Sequence, residues 1–237
     1  MEKNINFMEL FNRRLYLERC QNIDLCISSV RENDKTYLDK IKKFCKNNGL
    51  DPNNTINKIK NGDRDLAAHF SMDPLKQGFS ERIQLEFLSE ILGVPVIKLN
   101  ADHYKGKFIY NGKIVSVEDL PKDSRLKTLD YYAKFNDKDI YFAAKYTKSR
   151  GGAQVNQYND LMDQFKEAKD INDDNIYFIA LCDGNHYDSK LKKFGYKSTR
   201  EMMNDLYGTD HSRALSSDEV YNFLNNMRWL ICLIRKN

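Results

Sequence analysis

Residues 128–147, TLDYYAKFNDKDIYFAAKYT, decide the fold. Two alternating apolar runs flank the polar turn Asn136-Asp137-Lys138, and they read as strands over 128–135 and 139–147 paired in an antiparallel hairpin. Alternate side chains of a strand share a face. In the second strand Ile140, Phe142, Ala144 and Tyr146 therefore lie on one side, and Tyr141, Ala143, Lys145 and Thr147 on the other. In the first strand Leu129, Tyr131, Ala133 and Phe135 form an apolar face, with Asp130 on the opposite side. Asp130 stands six residues before the turn and Lys145 seven after it, so the two are expected within about one residue of register.

Outward from the hairpin the texture stays mixed. A helix from Ser80, with Ile83, Phe87, Leu88 and Ile91 as its apolar stripe, ends at Gly93. Strands are expected over 94–99, 107–110 and 113–117, the last two joined by Asn111-Gly112, a strong two-residue hairpin signal. Beyond the central hairpin come a helix over 153–168, a strand over 176–181 and a helix near 199–207. This order predicts an α/β fold with a mixed central sheet flanked by helices.

Residues 1–75 read differently, as a helical region packed on a core that spans 76–237. Phe7, Leu10, Phe11 and Leu15 follow helical spacing. A helix over 37–46 stops at Asn48-Gly49, and Asp51-Pro52 opens another through Ile56 and Ile59 to Asn61-Gly62. The interval 41–60 holds five lysines and one acid. Such a pair of helices suits a helix-turn-helix on phosphates, although helical hairpins without DNA are the commoner case.

The whole chain has 237 residues, 41% of them hydrophobic, enough for one full-sized domain or two small ones. No run approaches the roughly 18 apolar residues of a membrane span, and the polar N-terminus lacks the order of a signal peptide. A cytoplasmic protein with no membrane partner is expected. Five cysteines, at 20, 26, 45, 182 and 232, have no CxxC spacing and read as core thiols, neither a disulfide framework nor a zinc site. The net charge of +4 names no partner as a sum. Its distribution is more telling, because residues 140–159 contain no acid and place Lys145, Lys148 and Arg150 beside Gly151-Gly152.

Asp130 and Lys145 alone are as compatible with a cross-strand ion pair as with an active site. The segment Lys148-Ser149-Arg150-Gly151-Gly152 leads into a helix whose first amides favour an anion. Gln154, in that helix's first turn, either caps it or points back toward the strand of Lys145. On the helix from Ser80, Glu86 and Glu90 project away from the apolar stripe, whereas Glu81, in line with Gln77, falls at its border. There it is either a partner of the helix dipole or a group aimed at a site.

These residues resemble the PD-(D/E)xK nuclease superfamily, specifically Type II restriction endonucleases. The resemblance lies in Lys-Gln-Gly-Phe-Ser-Glu (76–81), Leu-Asp-Tyr-Tyr (129–132), Ala-Ala-Lys-Tyr-Thr (143–147), Gly-Gly-Ala-Gln-Val-Asn-Gln-Tyr (151–158) and Leu-Cys-Asp-Gly (181–184), and covers 76 to about 210. It implies a restriction-endonuclease-like core and Mg²⁺-dependent, sequence-specific cleavage of double-stranded DNA by a homodimer. It implies that Asp130 binds Mg²⁺, with Glu81 and the Ala144 backbone carbonyl completing the metal site. Lys145 would orient the attacking water and stabilise charge on the scissile phosphate. Gln154 matches a polar residue at the start of the next helix, and Lys148, Arg150, Gly151 and Gly152 would contact DNA. The chain departs from the family pattern at Ala143, where the family has Glu or Asp. A migrated ligand, an introduced substitution or a protein that only binds DNA would each account for it. A repair or junction nuclease of the same fold, and an interaction protein in which Asp130 and Lys145 are only an ion pair, are the other readings. Base readout is expected from the N-terminal helices, the hairpin at Asn111-Gly112 or residues 186–213. Trp229 and the apolar run after it suit a core or dimer contact.

Overall fold

The computed structural model describes residues 6–76, 78–147, 152–189 and 195–226. Chain contacts divide it after Ser80 into two compact units.

The first unit is helical: α1 (Phe7–Arg31), α2 (Lys35–Asn48), α3 (Pro52–Lys60) and α4 (Arg64–Phe70). Each begins where a side-chain oxygen, from Asn6, Asp34, Asp51 and Asp63 in turn, accepts a hydrogen bond from a first-turn amide. Such a cap contributes about 1 kcal/mol. Pro52 occupies the first turn of α3, and α2 stops at Gly49 in the left-handed conformation. Ile27, Val30, Ile41, Ile59, Phe70 and the thiols of Cys26 and Cys45 form the buried cluster. The expectation of core thiols holds for these two and for Cys182, whereas Cys20 is only partly buried and Cys232 lies outside the described residues.

In the second unit α5 (Phe79–Leu92) precedes β1 (Val96–Lys98), the β2–β3 hairpin (Phe108–Tyr110, Lys113–Val115), β4 (Tyr131–Phe135) and β5 (Lys138–Tyr146). Then follow α6 (Gly152–Ala168), β6 (Ile176–Asp183), the single turn α7 (Asn185–Asp188), α8 (Thr199–Tyr207) and β7 (Ser212–Leu215). The main sheet has the order β1-β4-β5-β6-β7, antiparallel from β1 to β5 and parallel from β5 to β7. It is the mixed, helix-flanked sheet of an α/β fold. Leu88 and Leu92 of α5 cover one face, with Tyr131, Ala133, Phe142 and Ile179. Leu161 and Phe165 of α6 and Met203 of α8 cover the other, with Ala143, Phe178 and Ala180. Among the described residues no helix is long and apolar enough to cross a membrane.

The expected hairpin at Asn111-Gly112 is present, and its tip is fastened to the end of α6. Gly112 N–H donates to the Glu167 carbonyl at 2.9 Å, and a Cβ on Gly112 would lie 2.1 Å from the Asp170 carbonyl oxygen. The edge strand β7 was not foreseen, since the tetrapeptide Ser-Arg-Ala-Leu carries too short an alternation to register.

The central hairpin corrects two expectations. The turn is two residues long, with Asn136 and Asp137 both at positive φ (51° and 63°), so that Phe135 pairs with Lys138 and Tyr131 with Phe142. Continued, this register sets Asp130 opposite Ala143 and leaves Lys145 two positions beyond. The first strand is also shorter than 128–135. Leu129 belongs to the α6 side of the sheet while Tyr131 belongs to the α5 side, so the alternation breaks at Asp130.

A two-residue turn of this hand favours residues that tolerate left-handed backbone, glycine most of all. Asp137→Gly is accordingly expected to raise the unfolding free energy by roughly 0.5–1 kcal/mol in urea denaturation, with Asp137→Pro strongly destabilising. A turn of three residues would give no such gain.

Candidate active site

The parallel strands β5 and β6 run out at Tyr146 and Asp183 at one end of the sheet, and the antiparallel β4 begins at that same end. Asp130, Lys145 and Asp183 are thereby gathered at the carboxyl end of the parallel strands. Open α/β sheets place ligands at this end.

Asp130 is held by the backbone on both sides. Its N–H donates to the Phe142 carbonyl at 2.8 Å, and its carbonyl accepts from Leu99 N–H at 2.9 Å. Its carboxylate Oδ2 accepts from the Ala144 N–H at 2.7 Å and lies 3.6 Å from Lys145 Nζ. Lys145 reaches it diagonally, despite the two-residue offset, because its four-carbon stem spans the gap. The two side chains are 30% and 21% exposed, so the pair is partly screened from water. Burial pushes the Asp130 carboxyl above the usual range, the Lys145 ammonium and the Ala144 amide pull it back, and the nearby charge of Glu81 raises it again.

Glu81, in the first turn of α5, is exposed and forms an ion pair with Lys98 at the end of β1. Two carboxylates and two lysines therefore share one neighbourhood. Among the described residues no group of three or more His, Cys, Asp or Glu is arranged to hold a metal ion. The donor set nevertheless suits Mg²⁺, which takes one or two carboxylates and completes its shell with water and substrate phosphate.

Behind these groups lies a buried polar network. Asp183, 3% exposed, accepts from Gln84 Nε2 at 2.8 Å and from Ser217 Oγ at 2.6 Å on one oxygen, and from Ser217 N–H at 2.9 Å on the other. Tyr131 OH donates to Gln84 Oε1 at 3.1 Å. Burial raises the Asp183 carboxyl while these donors lower it, and burial first, then the surrounding acids, raises the Tyr131 hydroxyl. The network ties β4, beside Asp130, to α5 one turn beyond Glu81. At the same edge Thr147 N–H donates to the Asp183 carbonyl at 2.9 Å. Gly184 follows at φ 99°, where a Cβ would lie 2.3 Å from the Thr147 carbonyl oxygen, so only glycine lets β6 close on β5 here.

The structure thus brings Asp130, Lys145 and Ala144 together, with Glu81 beside them. It is the Ala144 amide that Asp130 engages. Ala143 is completely buried in the cluster on the α6 side. Gly152 opens α6, but the side chain of Gln154 and residues Lys148, Arg150 and Gly151 lie outside the described residues, as does Trp229. Sequence reasoning missed Gln84, Asp183 and Ser217 as a unit. Gln84 had a signal, being a polar residue inside the apolar stripe of α5, and Asp183 had one as an acid closing an otherwise apolar strand; Ser217 had none.

A carboxyl whose pKa is raised on folding takes up a proton more readily in the native state, so its contribution to stability falls as pH rises through that window. Asp130→Asn removes the effect. In EDTA, the stability of the variant relative to the wild-type chain is expected to increase from about pH 4, the unfolded value, to pH 7. A difference that stays flat across this range would show that Asp130 is not desolvated as described.

Compared with protein-family models, curated proteins and solved structures, the chain matches none. Its site is therefore read through its own chemistry.

Proposed function

We propose that the chain is a Mg²⁺-dependent, sequence-specific endonuclease of double-stranded DNA, with a core of the restriction-endonuclease kind and a homodimeric assembly that cuts both strands. The observation that carries this reading is the Asp130–Lys145 pair, 3.6 Å apart at the carboxyl end of the parallel strands, with the carboxylate oriented by the Ala144 amide. An ion pair serving stability alone needs neither this placement nor a second acid coupled to it.

Hydrolysis of a phosphodiester needs a positioned water, stabilisation of charge on the phosphoryl oxygens and an oriented leaving oxygen. The Lys145 ammonium supplies a donor and a positive charge at the rim, where a phosphate can approach. Asp130 holds that ammonium in place and offers its remaining lone pairs to the site. Asp130, Glu81 and the Ala144 carbonyl would hold Mg²⁺, which supplies Lewis-acid polarisation of the phosphate. Glu81, now paired with Lys98, would take that role by giving up this partner, and Lys98 would then be a second cation for the DNA backbone. The buried Asp183–Gln84–Tyr131 network keeps α5 and β4 in fixed relation, so the two carboxylates stay aligned.

A second reading, a DNA-binding protein of nuclease fold without catalysis, is favoured by one feature. At 143 the side chain is a methyl group, and the wall it occupies is fully buried.

Plasmid DNA incubated with the chain and Mg²⁺ or Mn²⁺ is expected to yield discrete fragments, with Asp130→Ala and Lys145→Ala each reducing cleavage by roughly 10²-fold or more while the fold is retained. Binding in Ca²⁺ without nicking under any divalent ion would select the second reading. Preference for branched over linear duplex would instead indicate a junction enzyme. Ala143→Glu separates the histories of the site: increased Mg²⁺-dependent cleavage marks the alanine as a lost ligand, and unchanged or lower cleavage by a variant that circular dichroism shows to be folded marks Glu81 as the working one.

A further inference from the structure

A cavity of about 500 Å³ opens beside the unstructured segment that leads into Asp130, lined from that segment by Ser124, Arg125, Lys127 and Thr128, and from elsewhere by His103 and Asp160. Its volume lies within the range of small-molecule sites. Its chemistry is uneven in a useful way. Arg125 and Lys127 are exposed, and among the described residues neither has an ion-pair partner, so two cations face the opening with their charge unspent. Ser124 and Thr128 add hydroxyls. Asp160, on α6, is an acceptor that a bare phosphate would avoid but that the exocyclic amine of a base would seek. His103 is an exposed ring steeply inclined to both Tyr104 and Phe108, with centroids 5.6 and 5.2 Å apart.

The segment is also fastened. The buried side chain of Gln164 donates from Nε2 to the carbonyls of Lys127 and Thr128 at 2.9 and 3.2 Å, and Leu129 N–H donates to the Lys107 carbonyl at 2.7 Å. Thr128 Cγ2 fills the space a side chain at Gly106 would need. The cavity wall therefore does not need to be ordered by its ligand. Thr128 is two residues from Asp130, a chain reach of about 7 Å. A strand with one phosphate at Asp130 has its neighbouring nucleotide within reach of this wall.

We infer that the cavity holds one nucleotide unit of the substrate strand next to the scissile phosphate, its phosphate on Arg125 and Lys127 and its base edge toward His103 and Asp160. This rests on the nuclease reading above, and goes beyond it by placing a substrate subsite on residues 124–128, away from the basic loop after β5.

The test is binding of a labelled 30-bp duplex pool by the full chain in Ca²⁺, across a salt series. Each phosphate contact steepens the dependence of log affinity on log salt by about one. The double variant Arg125→Ala/Lys127→Ala is expected to bind roughly tenfold or more weakly and to lower that slope by about one, for the one phosphate the two cations share. Ala101→Trp, which fills the cavity from its rim and leaves both cations, is expected to weaken binding to a similar degree. Lys138→Ala, at the opposite end of β5, is the control and leaves affinity unchanged. All four residues carry solvent-accessible surface, and circular dichroism checks that the variants fold. If the wild-type chain binds DNA and the double variant keeps its affinity and slope, the subsite is wrong and the nuclease reading stands. If the double variant weakens but Ala101→Trp does not, the cations act as open surface and the subsite is equally wrong. If the wild-type chain binds no duplex at low salt, both readings fall.

Discussion

The hydrogen bond from the Ala144 amide to the Asp130 carboxylate is the interaction on which the second unit turns. A side chain that captures a backbone donor from the neighbouring strand takes the place of a ladder bond, and here it does so where the pairing of β4 with β5 ends. The alternation of β4 breaks at that residue, which sends Leu129 into the layer beneath α6 and Tyr131 into the layer beneath α5. One carboxylate therefore belongs to the sheet's architecture and to the site at once. Removing it frees the Ala144 amide at the end of the β4–β5 pairing as well as taking a carboxylate from the site.

Such a group is costly to keep. Burial disfavours its charge, and the compensation comes from an ammonium 3.6 Å away and a single amide. A core built only for stability gains more from an apolar residue at such a point. The second buried acid, Asp183, is treated differently, with three donors on its two oxygens and no cation among them. That is the pattern of a structural anchor, satisfied on every side, whereas Asp130 keeps part of its surface open.

Much of this was legible in the sequence because it is local. The capped and glycine-ended helices of the first unit follow from Asp34, Gly49, Asp51 and Pro52, whose preferences act within one turn. The faces of β5 follow from period-two alternation, which a central strand with two apolar layers preserves. Asp130 and Lys145 were recognisable as neighbours for the same reason. What escaped was decided by single residues of backbone geometry: a turn of two positions or three moves the register, and a capture of one amide ends a strand early. The Asp183–Gln84–Ser217 contacts join residues 84, 183 and 217, and no local periodicity announces a partner that far along the chain.

Charge accounting gives the methyl group at 143 a definite consequence. Around Asp130 two carboxylates, Asp130 and Glu81, face two ammonium groups, Lys145 and Lys98, and the four formal charges cancel. A divalent cation entering this neighbourhood alone meets no net negative charge and must displace Lys98 from Glu81. A cation entering with a phosphodiester, as the proposed reading requires, would meet one negative charge more, and Lys98 would find a new partner in the same phosphate. With a carboxylate at 143 the site would be negative on its own and would attract the metal before substrate. On the proposed reading, alanine there would couple metal and DNA, each making the other's binding more favourable by the same factor.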